Sequence, residues 1–435
     1  MLGCAFSSVR LSPFCLAFYC LVFLSVDSVR AQEQPTPLAG EKFRTEVLGE
    51  RVEVPPRDRK TVTAASFGVQ YLPDGPSFYQ VLPFGAFYVW RHSEDYTKRF
   101  RGSFALAVND LAYNVGVRSL PGLELRFTFN NMIIPLGRSE YVEGQIIRDV
   151  EVEWNYVFAG FGLAYRRLLS TGQQDNAFEL SLTYEPGYFW FNGTDDASPG
   201  FVVPNDTYEG RIHLRLRNDA LVRNLMELPH RGYAFGGDVL YGHRATWRPW
   251  GGAVFDPPNV NRERDYLRGS VYAVVAGGIP FVHNERHRLI ASLYGGIGQH
   301  LDRFSAFRLP GRPTGYEWEA LALPLLPSVA FNELFPSRYV MMHLVYRYEA
   351  LFFFYPYIRG SWGLVEQPRF QPDGTIHNRM DSMPAISAGV ISAAPWRSQI
   401  ELNYSYNFGI YSDRGGGPPM AGRHGFFVFW SKEFR

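Results

Sequence analysis

The sequence predicts an all-β fold, a transmembrane antiparallel β-barrel of about sixteen strands, on three observations. Segments beyond residue 31 alternate in polarity. In Leu123-Glu124-Leu125-Arg126-Phe127-Thr128-Phe129-Asn130 the apolar side chains fall on one face and most polar ones on the other, the two-residue period of a strand. Those segments are also of the right size, since a barrel strand crosses hydrocarbon in roughly ten residues, whereas a helix needs about twenty continuous apolar ones. The longest apolar stretch after residue 31, Leu321 to Phe335, is interrupted by Pro324 and Pro327. Aromatic residues make up 16% of the chain, as expected where rings form interfacial girdles around a barrel.

A chain of 435 residues would ordinarily divide into several domains, but a barrel grows by adding strands to one closed sheet, so a single barrel domain over 61–435 is expected. Arg10 precedes the apolar run 14–26, and Ser28-Val29-Arg30-Ala31 ends in a small residue suited to signal peptidase, so residues 1–31 read as a signal peptide cleaved before Gln32. Cys4, Cys15 and Cys20 all lie in that segment, which leaves no disulfide and no thiolate metal site beyond it. Residues 32–60, polar and containing Pro35, Pro37, Pro55 and Pro56, read as a short periplasmic or lumenal segment. The 43 basic and 42 acidic residues nearly cancel, which gives no global attraction to nucleic acid.

Strands are expected at 62–72, 81–92, 98–108, 120–130, 144–154, 156–168, 177–190 and 206–217, then at 231–243, 264–279, 287–299, 338–348, 353–364, 384–393, 398–410 and 424–434. An even count lets the first and last strands pair antiparallel and removes the unsatisfied edge that hydrocarbon penalises. The segment 110–118 is ambiguous, and 317–335 has room for a further pair.

The second half, 206–435, resembles the bacterial surface-antigen superfamily of outer-membrane barrels, the BamA- and TamA-type assembly barrels, and above all the barrel fused to some patatin-like phospholipases. The elements fall in family order. Leu228-Pro229-His230-Arg231-Gly232-Tyr233 is similar to the Pro-x-x-Gly element entering the ninth strand, and two more strands and a long loop follow. In that loop, Gly311, Arg312, Thr314, Gly315 and Tyr316 occupy the tip that in the family carries an Arg-Gly-aromatic motif folded into the lumen. Tyr357-Ile358-Arg359-Gly360-Ser361-Trp362-Gly363 takes the place of the thirteenth-strand Asp-x-Gly motif, with Ser361 and Gly363 at its defining positions. The family's Arg and Asp, which meet across loop and strand, are here Thr314 and Ser361. Losing both together avoids an unpaired buried charge and implies a different, uncharged seat for the loop. Residues 32–60 are too short for the family's POTRA domains, and no patatin Gly-x-Ser-x-Gly nucleophile is present. The last strand places Phe426, Val428, Trp430 and Phe434 on one face, similar to the aromatic C-terminal signal by which barrel-assembly machinery recognises its substrates. Arg435 departs from that pattern by following the final aromatic.

Arg211, His213, Arg215 and Arg217 lie on one face of one expected strand, which must be the lumenal face because mid-bilayer charge is costly. Glu179 and Glu185 on the preceding strand offer cross-strand neutralisation, so a structural charge stripe is preferred over an anion-attracting one. His283, His287 and His300 have no compact metal-ligand spacing, and Asp381, Ser382 and His377 form no recognisable nucleophile arrangement, so neither cofactor nor catalytic activity is expected. The apolar run Leu321-Ala322-Leu323-Pro324-Leu325-Leu326-Pro327 must contact something, with packing against the barrel walls the simplest outcome.

The resemblance implies a bacterial outer-membrane protein, nonenzymatic, in contact with outer-membrane lipid and acting in translocation or assembly of a protein or lipid client. Opening would occur at a weak closure between the first and last strands. A passive or gated solute channel and a membrane anchor for a partner protein are the alternatives.

Overall fold

The structure, a computed structural model, describes residues 37–47, 50–54, 60–76, 80–95, 97–105, 108–132, 134, 140–169, 176–252, 263–309, 321–330, 333–372, 376–394, 398–412 and 420–434. Sixteen strands close into one antiparallel barrel. They are β1 Thr61–Tyr71, β2 Val81–His92, β3 Lys98–Ala105, β4 Val108–Gly116, β5 Leu123–Met132, β6 Val152–Leu168, β7 Ala177–Gly193 and β8 Thr207–Asp219. The second half comprises β9 Pro229–Arg244, β10 Asp265–Gly278, β11 His287–Gln299, β12 Arg338–Tyr348, β13 Phe354–Phe370, β14 Ala385–Ala394, β15 Ser398–Ser412 and β16 Met420–Phe434. Each pairs with its neighbours, and β16 returns to β1.

Closure is what an apolar exterior requires. Outward side chains such as Leu182, Ile212, Val239, Leu293 and Ile297 are 46–64% exposed, a continuous band that water would not tolerate and lipid accepts. The alternate positions of the same strands carry Glu179, Ser181, Thr183, His213, Arg215 and Asp238, which face the lumen. Each of these strands pairs with a neighbour on both sides, the condition for crossing hydrocarbon. The chain is a transmembrane β-barrel.

One expected strand moves. Residues 144–154 do not form a separate span: Glu140–Val142 and Gln145–Ile147 make a small hairpin turned at Glu143 and Gly144, both at positive φ, and a 3₁₀ turn at Arg148–Val150 leads into β6. β6 then runs seventeen residues and pairs with β7 from Val152↔Gly193 to Leu168↔Ala177. The missing span is β4, the ambiguous segment, whose Asn109, Asp110 and Asn114 depress strand propensity while Tyr113 faces out and buried Ala112 and Asn114 face in. The two differences cancel in the count.

The N-terminal segment has local order. Leu38 bridges Asn224 in the β8–β9 turn, the Ala39 N–H donates to the Arg223 carbonyl at 3.0 Å, and the Leu225 N–H donates to the Pro37 carbonyl at 3.0 Å. A hairpin of Phe43–Val47 and Glu50–Val54 follows, with Phe43 against Phe352 in the β12–β13 turn at 5.1 Å between ring centres. In that turn, burial pushes the Glu349 carboxyl up, but the hydrogen bond to His230 and the Arg347 guanidinium outweigh it and hold the group at about 2. Asn224 also donates to Glu349 at 3.2 Å, so the N-terminal segment, the β8–β9 turn and the β12–β13 turn are joined at one rim. Residues 1–31, read as a signal peptide, lie outside the described residues.

Candidate functional site

The lumen is occupied by the sixth loop, between β11 and β12. Its first part is aimed inward by Asp302, whose carboxylate accepts the N–H groups of Phe304 (3.1 Å) and Ser305 (3.0 Å) and the Ser305 hydroxyl (2.8 Å), fixing a tight turn. That turn drives Phe304 into an aromatic cluster under the loop rim. Its ring lies 4.8 Å from Phe191, 5.1 Å from Trp250 and 5.3 Å from Trp154, among buried Phe158, Phe189, Phe201 and Trp247. The following apolar run meets the barrel wall as expected. Leu326, Val329 and Leu334 are at most 3% exposed, packed with Leu309, Tyr272, Met341, Val365 and Ile410.

Among the described residues, three buried ion pairs seat the loop. Arg244 on β9 donates to Asp302 at 2.5 Å, Arg303 donates to Glu140 at 2.9 Å, and Arg423 on β16 donates to Glu333 at 2.6 Å. The last pair is the most enclosed, with side chains 0% and 2% exposed, and Glu333 also accepts the Ala330 N–H at 2.8 Å. The described flanks of the loop are therefore held by charge. The expected tip residues Gly311, Arg312, Thr314, Gly315 and Tyr316 lie outside the described residues. Ser361 faces the lumen and bonds His343 at 2.8 Å, while Gly363 exchanges backbone hydrogen bonds with Met383.

The loop reaches both strands that close the barrel. Gln70 on β1 donates to the Val329 carbonyl at 3.1 Å, Asn407 on β15 donates to the Pro327 carbonyl at 2.9 Å, and the Ser328 and Ser405 hydroxyls lie 2.8 Å apart. Residues 327–330 and Glu333 thus meet the seam from inside, bonded to β1 at Gln70 and to β16 at Arg423. The seam itself pairs nine positions, from Phe426↔Tyr71 to Phe434↔Thr63, more than the seven that join β2 to β3 or β3 to β4. Ladder length does not mark it as weak. Aromatics flank it on both faces: Phe67 with Trp430 and Tyr71 with Phe426 outside, each at 6.0 Å, and Phe84 with Phe427 at 5.3 Å inside. Phe426, Val428 and Phe434 are 42–47% exposed and Trp430 shares their outward face, so the expected C-terminal signal residues lie toward lipid.

Opposite the seam the wall is ionic. β7 and β8 pair so that Glu185 faces Arg211, Thr183 faces His213, Ser181 faces Arg215 and Glu179 faces Arg217. The side chains connect more widely than strand adjacency suggested. Glu179 accepts from Arg99 on β3 at 3.0 Å and from Arg126 on β5 at 2.9 Å. Arg217 and His213 both reach Asp238 on β9, at 2.8 and 2.9 Å, His213 also meets Glu185 at 3.3 Å, and Arg211 bonds Glu209 at 2.6 Å. Glu124, Asn114, Asp238 and Glu209 are members that the sequence alone did not select. Their signal was lumenal parity on strands near the basic stripe. No group of His, Cys, Asp and Glu suited to a metal occurs among the described residues.

The fold and its lumen define a class, a transmembrane barrel whose longest loop packs inside it along its described residues. Solved structures similar to it include CdiB and BamA barrels. CdiB from Acinetobacter baumannii aligns with a TM-score of 0.48 at 12% identity over 91% of this chain and 66% of its own. CdiB from Escherichia coli aligns with a TM-score of 0.49 at 9% identity over 92% and 68%, and BamA from Haemophilus ducreyi lacking POTRA domains 1–3 with 0.46 at 11% over 90% and 75%. The chain thus spans about two thirds to three quarters of the length of these structures. No protein-family model and no curated protein matches the sequence.

Proposed function

We propose that the protein is a surface-antigen-type barrel that moves or assembles a protein or lipid client at the outer membrane, opening between β1 and β16 when its sixth loop is released. One observation carries the reading: the plug is bonded to both seam strands, through Gln70 and Arg423. A loop that merely narrows a pore needs only a wall to lean on. This one is tied to the closure, so displacement of the plug and loosening of the seam are coupled. Parting nine paired positions into hydrocarbon would leave backbone groups unsatisfied at several kcal/mol each. Opening therefore requires a client whose own strand edge or polar headgroup takes over those bonds as they are released.

A gated solute channel is the second reading, favoured by the ionic wall and by a lumenal cavity of about 550 Å³ between that wall and the loop. Comparison of outer-membrane protein and lipid profiles between native and depleted cells separates the two. Translocation predicts selective loss of one protein or lipid from the outer membrane. Unchanged profiles would remove the client and leave the channel.

A further inference from the structure

We propose that the hairpin at 140–147, between β5 and β6, is a strap across the mouth of the barrel, hinged on its own side and held at the far wall by a releasable latch. This closure does not depend on what the barrel carries.

Connections from an odd to an even strand all emerge at one rim, so the hairpin shares its rim with the sixth loop. Its tip meets the opposite wall. The Glu143 carboxylate lies 3.5 Å from the Arg369 guanidinium on β13, and a Cβ built on Gly144 would lie 3.0 Å from the Ser412 and Tyr411 carbonyl oxygens on β15. In a ring of sixteen, β5 and β13 are eight strands apart in either direction, so the hairpin crosses the full mouth. Glu140, Tyr141 and Val142 are at most 4% exposed, which shows that the segment lies down on the barrel instead of standing in solvent.

An isolated two-stranded hairpin is at best marginally stable, and this one has only three residues in each strand, so its ends must hold it. The ends differ. On the near side Arg303 donates to Glu140 and to the Val150 carbonyl, each at 2.9 Å, and both charged side chains are buried, so parting that pair is costly. Val150 is also packed into the aromatic cluster around Phe304. That side is the hinge. The far side parts at little cost, because 3.5 Å exceeds the length of a good hydrogen bond and Arg369 keeps Asp381 at 2.7 Å and the Tyr411 ring at 4.0 Å when the tip leaves. Glu143 passes into water, which solvates a carboxylate well. Gly144, at φ +80°, lets the tip come so close to the β15 backbone, where any Cβ would press on it. Tyr411 also connects the latch to the plug, since its carbonyl accepts from Arg423, the partner of Glu333 in the sixth loop.

The test is maleimide labelling of Val142→Cys in the folded barrel in detergent, with the native cysteines at 4, 15 and 20 replaced by serine and Phe281→Cys as the exposed reference. Val142→Cys is expected to label at least tenfold more slowly than the reference. Adding Glu143→Lys, which sets a second cation against Arg369, is expected to speed it at least tenfold with the compact gel mobility kept. Gly144→Ala, whose Cβ meets the β15 backbone, should do the same by a different route. Labelling of Val142→Cys as fast as the reference would overturn the proposal, because the hairpin would not lie closed. Slow labelling that neither added substitution changes would overturn it as well, because the tip would then hold no latch.

Discussion

Replacing Arg423 with alanine is expected to free the sixth loop from the last strand. The substitution leaves the Glu333 carboxylate buried at 2% exposure without its guanidinium, and breaking one side of so enclosed a pair costs about 3–5 kcal/mol. The Arg423 bond to the Tyr411 carbonyl is lost with it, so β15 and β16 lose a tie beside the register irregularity between Asn407 and Tyr411. Two readings should change together. The temperature at which the barrel loses its compact, heat-sensitive gel mobility should fall, and planar-bilayer recordings that are closed for the native protein should show open events. Arg423→Met combined with Glu333→Met removes both charges, leaves none unpaired, and should recover most of the stability. An Arg423→Ala barrel as stable and as closed as the native one would show that the loop is held by its apolar packing alone.

Truncating Phe304 is expected to have a comparable effect at the opposite end of the plug. Among the described residues its ring is the one loop-6 aromatic in the cluster beneath the loop rim, and it touches rings from β6, β7 and the β9–β10 loop. Phe→Ala at a buried site costs about 3–5 kcal/mol, part of it from the cavity left behind. Here the cavity opens toward the loop rim, so the readings are lower thermal stability together with faster proteolysis within the sixth loop. Phe281→Ala in the fully exposed β10–β11 turn is the control, and it should lie within about 0.5 kcal/mol of the native barrel. A Phe304→Ala protein indistinguishable from that control would remove the cluster from the closure of the lumen.

How much of this was legible in the sequence follows from what carries each feature. Alternation in segments such as 123–130 and 177–190 records which face meets lipid, so the fold class, the closed even-numbered barrel and most strand positions could be read directly. The exchange of 144–154 for Val108–Gly116 arose because alternation does not say whether a segment pairs across the barrel or turns back on itself. Positive φ at Glu143 and Gly144 made that choice. The lumenal parity of Arg211, His213, Arg215 and Arg217 was legible for the same reason as the strands, but their partners were not. Register gives the residue directly opposite, whereas long guanidinium side chains reach two strands away, as Arg99 does to Glu179. The loop's seat was the least legible part. Asp302, Arg303 and Glu333 are ordinary loop residues until the chain folds inward, and no spacing in the sequence marks them as members of the described ion pairs.

Coupling between the plug and the β1–β16 seam is tested most directly by a reversible staple across that seam. Ser66 and Ser431 are paired across it on the lumenal side, and the only native cysteines lie within the first twenty residues. Ser66→Cys combined with Ser431→Cys should form a disulfide on oxidation. In depleted cells the oxidised staple is predicted to leave the client missing from the outer membrane, with reduction restoring it and either single cysteine behaving as native. A fully formed staple that supports a normal outer-membrane profile would contradict opening at this seam.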